Sequence, residues 1–184
     1  MTKSPAQARW AVFAVFLLHG ILVGSWTPHV PLAKDRLDVG PGILGLALLA
    51  IAGGAVLAMP IAGALINRFG SARMVLLTGL LFAAAFFGPT LAPNFWTFVI
   101  SGLFLGAGIG SLDVAMNSDG LAVEKEMKRP ILSGLHGAFS IGAMIGAFAG
   151  AGLIDQFGPL VQVITVVAVF LVGLLISVQY LLPS

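Results

Sequence analysis

Residues 74–112 read MVLLTGLLFAAAFFGPTLAPNFWTFVISGLFLGAGIGSL, a run of 39 residues without one charged side chain. As continuous helix it would extend about 58 Å at 1.5 Å per residue. The hydrocarbon layer of a bilayer is only about 30 Å thick, and roughly 20 apolar residues cross it. The run must therefore fold back on itself. Its centre, Gly88-Pro89-Thr90-Leu91-Ala92-Pro93-Asn94, concentrates the residues that turn a chain. Two membrane crossings joined by a short turn are expected here.

Working outward, the same criterion yields four more spans. Trp10 to Pro31 and Val39 to Asn67 precede the run; Pro130 to Ile154 and Gly158 to Leu182 follow it. The first resembles a secretory leader in having Lys3 and Arg9 before an apolar stretch. Its length, the five later spans and the lack of a small-residue cleavage pattern favour a retained helix. The composition agrees. Of 184 residues, 59% are apolar and 9% charged, against about 25% charged in soluble domains. A core of this size could not hide so much apolar surface from water, so the lipid bilayer is the implied solvent. A net charge of +2 built on so few charges gives no reason to expect nucleic acid, and the absence of Cys excludes disulfides and thiolate metal sites.

Lys and Arg in short loops set the orientation. With the N-terminus inside, Lys3, Arg9, Arg68, Arg73, Lys125, Lys128 and Arg129 are cytoplasmic, and only Lys34 and Arg36 are external. Both termini are then expected in the cytoplasm of a multi-pass plasma-membrane protein, the inner membrane in a bacterium. Trp10 and Trp96 fall at span ends, where aromatic rings favour the interface. His29 is expected at the outer surface.

The chain also repeats internally. A shift of 88 residues lays Ala64-Leu-Ile-Asn-Arg-Phe-Gly70 over Gly152-Leu-Ile-Asp-Gln-Phe-Gly158 and maps spans 1, 2 and 3 onto 4, 5 and 6. The repeats run from about 9 to 93 and from about 94 to 182. Three spans per copy is an odd number, so the copies insert with opposite topology. Small residues recur every fourth position on span 5 (Gly134, Ala138, Gly142, Gly146, Gly150) and on span 2 (Ala50, Gly54, Ala58, Ala62). In lipid such stripes let helix backbones approach closely.

The segment Gly63-Ala-Leu-Ile-Asn67-Arg68-Phe-Gly70-Ser-Ala-Arg73 resembles the loop signature between spans 2 and 3 of the major facilitator superfamily. The glycine-rich Gly106-Ala-Gly108-Ile-Gly110 on span 4 fits the same family. The resemblance covers the whole chain and implies an all-α membrane protein: six transmembrane helices as two inverted three-helix repeats, half of a major facilitator fold. Asp113-Val-Ala-Met-Asn117 with Arg129-Pro130 is similar to the fucose-permease-like sugar branch. It further implies that Gly63, Asn67, Arg68, Gly70 and Arg73 form a gating loop. Asn67 departs from the pattern, since the family has a carboxylate there, and an amide cannot form an ion pair. Six spans imply a partner half, either a separate C-terminal unit or a second copy of this chain.

Candidate pathway residues follow from the cost of charge in lipid. Asp113 is the one carboxylate inside an expected span, and such groups face a bundle interior or a water-filled cavity. Asn117 lies one turn on, along the same face. On span 5, His136 and Ser140 share a stripe with Ser133 that lies opposite the small-residue stripe, about 200° separating positions 136 and 138. His19 and Trp26 share a face of span 1. A neutral hydrogen-bonded histidine is the plain alternative for His136, and interfacial anchoring for Trp26. No cofactor, metal-ligand cluster or catalytic constellation is evident, so no enzyme is expected. The expectation is a secondary transporter of a small polar solute, with a sugar as a candidate and symport with protons as the candidate coupling. The rivals are a non-transporting membrane scaffold or assembly subunit, and a drug-efflux carrier.

Overall fold

The structure, a computed structural model, describes residues 4–182; Lys3 lies outside them. The described residues form seven helices: α1 (Pro5–Trp26), α2 (His29–Leu37), α3 (Pro41–Phe69), α4 (Ser71–Leu91), α5 (Phe95–Met127), α6 (Leu132–Phe157) and α7 (Pro159–Ser177). With α1 and α2 taken as one broken rod, six are long and apolar enough to cross a membrane.

Local chemistry sets the ends. Ser4 and Gln7 form a capping box at the start of α1, each satisfying a backbone N–H that the first turn leaves unpaired. The rod breaks at Thr27-Pro28, where proline removes a donor, and α2 restarts after Pro28 as a short, more polar helix. The charge-free run folds back as expected, although the turn is narrower than its glycine and prolines suggested. Helix α4 runs through Gly88 and Pro89 to Leu91, and Asn94 caps α5 by accepting from the Thr97 N–H at 3.0 Å. Helix α5 also overruns its expected end at Leu112 and continues to Met127.

The segment expected as a gating loop is almost wholly helical. Gly63, Asn67 and Arg68 belong to α3, Arg73 lies in the first turn of α4, and Gly70 alone joins them at φ 84° and ψ 155°. Gly158 makes the matching junction between α6 and α7 at φ 83° and ψ 166°. Each donates its N–H at 2.8 Å to the carbonyl four residues back, Ile66 and Ile154. Glycine is required because L side chains clash at this positive φ.

Packing follows a crossed pattern. Helix α1 lies chiefly against α6, and α5 against α3 and α4, whereas α3 and α4 touch each other little. The first helix of each repeat thus packs on the other repeat. Gly20 and Gly24 of α1 sit against Phe139 and Ala143 of α6; Gly106 and Gly110 of α5 sit against Ile51 and Ala55 of α3. Reciprocally, Gly142 of α6 meets the Leu17 carbonyl and Gly54 of α3 meets the Leu103 carbonyl. None of these sites has room for a Cβ. The two crossings therefore correspond by 88 residues on α3 and α6 but by 86 on α1 and α5. The single shift of 88 is corrected for the first helix of each repeat. Of the expected stripe, Ala138, Gly142, Gly146 and Gly150 are buried, while Gly134 faces open space.

Two kinds of contact divide the bundle. Within the set α3–α4–α5, and within α1–α6–α7, glycines in close contact press on backbone, save Gly88 on Ser101, Gly102 on Ile51 and Gly173 on Leu18. Between the sets, Gly79 meets the end of Leu174, and Gly120 meets the ends of Leu135 and Leu132. Backbone contacts are rigid and side-chain ends adjust, so the bundle consists of two tight three-helix groups with a softer seam.

Candidate functional site

Asp113 lies near the middle of the 33-residue α5, half-buried. Burial of α5 recurs at Leu112, Ala115, Met116, Asp119 and Gly120, which turns Asp113 and Asn117 together toward the side those residues leave. The Asn117 amide Nδ2 donates to the Asp113 carbonyl at 2.8 Å and to its Oδ1 at 3.3 Å, fixing the carboxylate's rotamer. From α6, His136 stands within electrostatic reach of Asp113, its ring edge-on to Phe16 with centroids 5.5 Å apart. Ser140 Oγ donates to the His136 carbonyl at 3.1 Å. His136, Ser140 and Ser133 are all exposed, because the glycine face of α6 is taken by α1. Asp113, Asn117, His136 and Ser140 are thus brought to one polar face that the six helices leave open.

His19 and Trp26 do not join it. His19 is 1% exposed and stands between α1, α4, α5 and α6. Its Nδ1 is 3.3 Å from the Met116 sulfur, the rings of Phe82 and Phe139 flank it at 5.4 Å, and Nε2 has no partner. Trp26 is half-buried with its Nε1 enclosed and unpartnered. His29, expected at the outer surface, is 3% exposed. It bonds Gln162 Oε1 at 2.7 Å, while Gln162 Nε2 donates to the Ser25 carbonyl at 3.0 Å. The reversal arises because His29, at the start of α2, meets Gln162 in the first turn of α7, which offers the partner a buried imidazole needs.

Three charged groups that the sequence did not single out hold helix ends. Asp119 is 1% exposed and accepts from Ser71 Oγ at 2.8 Å. A carboxylate beside the first turn of α4 complements the positive end of the helix dipole and ties the Gly70 junction to α5. Glu124 accepts the N–H groups of Ile131 and Leu132 at 2.7 and 3.0 Å, setting the start of α6. The Arg36 guanidinium donates to the carbonyls of Thr90 and Pro89, the latter at 2.8 Å, and so closes the end of α4. Among the described residues, no group of three or more His, Asp or Glu is placed to hold a metal ion.

The description Major Facilitator Superfamily matches residues 6–183. The chain belongs to that superfamily. Within the superfamily it is similar to an uncharacterised MFS-type transporter of Yersinia pestis, 35% identical over 91% of this chain and 44% of that protein. An uncharacterised transporter of Sinorhizobium fredii is 37% identical over 76% of this chain and 37% of its own length. Membrane protein MosC of Rhizobium meliloti is 34% identical over 94% and 41%. The chain spans less than half the length of these relatives. Superfamily membership and six apolar helices make it a multi-pass membrane protein of transporter type.

Proposed function

We propose that the chain forms one six-helix half of a secondary transporter for a small polar solute, a sugar being the leading candidate, driven by symport with protons. The observation that carries this reading is the placement of Asp113. An acid near the middle of a spanning helix is costly in lipid, yet it stands on the one face where Asn117, His136 and Ser140 also converge. Opposed to a second six-helix unit, that face becomes the wall of a central cavity: hydroxyl and amide groups bind the solute's hydroxyls, and Asp113 takes up and releases the proton beside His136. His19 and Trp26 support the wall from behind. The Gly63–Arg73 segment, with Asn67, Arg68, Gly70 and Arg73, gates the cytoplasmic side, Asp119 anchoring it to α5. Both termini are cytoplasmic and the location is a plasma membrane, the inner membrane in a bacterium. Transport requires a second half, a C-terminal unit or another copy of the chain. The test is Asp113→Asn, which keeps size and most hydrogen bonding while removing the charge. With the partner half supplied, or in a functional homodimer, pH-driven accumulation should disappear while solute exchange persists. Normal pH-driven uptake by the well-folded variant would reject the coupling role.

A further inference from the structure

A groove of about 340 Å³ runs along the outside of the bundle where α3, α4 and α5 meet. Ile61 and Leu65 form one wall, Leu77 and Leu81 the other, and Ala107 with Ser111 the floor. All four wall residues are exposed. It runs from Ala58 to Phe69 on α3, about 16 Å at 1.5 Å per residue, which is roughly half the 30 Å hydrocarbon thickness and so the depth of one leaflet.

Both walls end in cations. The α3 stripe continues Ile61, Leu65, Arg68 at i, i+4 and i+7, and the α4 stripe continues Leu81, Leu77, Arg73 at four-residue steps. Residues at these spacings share a helix face. The Arg68 guanidinium lies over the Phe69 ring, 5.2 Å from its centroid, at the mouth of the groove. Among the described residues neither arginine is paired with a carboxylate, and both are exposed. The repeat does not impose them, since the positions 88 residues on are Gln156 and Val161.

We propose that this groove binds an anionic phospholipid of the adjacent leaflet, its acyl chain between the two apolar walls and its phosphate between Arg68 and Arg73. An unpaired cation at the lipid headgroup level favours an anionic lipid by about 1 kcal/mol, and long stems let it rise from the groove to the phosphate. Two such cations give a preference of about 30-fold.

Native mass spectrometry of the purified 184-residue chain tests this with phosphatidylglycerol and phosphatidylcholine of identical acyl chains. Phosphatidylglycerol should be retained about 30-fold better, and the Arg68→Gln/Arg73→Gln chain should hold both lipids equally. Ala58→Phe, which fills the groove, should release both, and soluble glycerol phosphate should not compete. In parallel, phosphatidylglycerol carrying a photoreactive acyl chain should label Leu77 and Leu81. Equal binding of both lipids by the unaltered chain, an undiminished preference in the double variant, or displacement by glycerol phosphate would overturn the proposal. So would labels placed elsewhere, or a disulfide between two Leu77→Cys chains, which would mean that the groove is covered by protein.

Discussion

Gly142→Ala and Gly137→Ala differ by little more than one turn of α6, yet the structure assigns them opposite effects. At Gly142 a Cβ would collide with the Leu17 carbonyl oxygen and lie 3.1 Å from both the carbonyl carbon of Leu17 and the Ile21 nitrogen. Ordinary contact begins near 3.4 Å, and these atoms are backbone, so α1 must retreat as a whole. Overpacking of this kind costs about 1–3 kcal/mol, and the absence of a yielding side chain places it at the upper end. At Gly137 nothing lies within 4 Å, and the replacement gains up to about 1 kcal/mol of helix propensity. The two variants should therefore differ by roughly 3 kcal/mol. For a chain of this size 1 kcal/mol moves the midpoint by about 2–4 °C, so their unfolding temperatures should stand roughly 10 °C apart. Thermal unfolding in one detergent, followed by helical circular dichroism, measures the difference. Gly54→Ala, the same contact in the other repeat, should match Gly142→Ala. Equal midpoints for Gly142→Ala and Gly137→Ala would refute the claim that α1 and α6 meet backbone to backbone.

Arg36→Gln should lower stability by about 1 kcal/mol, near the usual net worth of hydrogen bonds that water can partly replace, while Lys34→Gln, which closes no helix end, should change nothing measurable in the same assay. Tags near residues 70 and 127 should be accessible from the cytoplasm and tags near 36, 92 and 157 from outside, as the Lys and Arg bias requires; a cytoplasmic residue 36 would invert the assignment.

Much of this architecture was legible because hydropathy registers where lipid replaces water. The run at 74–112 had to fold back, and α4 and α5 do so within a few residues of the expected turn. What hydropathy concealed was the later half of α5, whose polar residues mask a buried face at Leu112, Ala115, Met116, Gly120 and Val123. Helical spacing of those positions was the available signal, and following it would have brought Asp119 into view. The placements of Asp113 with Asn117 on one helix face, and of His136 with Ser140 on another, could be read from helix periodicity. Those of His19 and His29 could not, because each depends on a residue from a distant helix, Met116 and Gln162. The two-residue difference between the helix registers lay equally out of reach, since it exists only in the packing of backbone on backbone.

The crossed packing bears on how such a chain is made. The group α3–α4–α5 is contiguous, residues 41–127, whereas its companion joins α1 to α6 and α7 across that whole interval. A ribosome delivering helices in order completes the central group first. Meanwhile Gly20 and Gly24 of α1 lack their partners Phe139 and Ala143, not yet synthesised. Closing so long a loop is slow relative to pairing neighbours. A nascent chain arrested after α5 would hold a finished core beside an orphaned first helix, and the arrival of α6 is the event that releases the product from that waiting state.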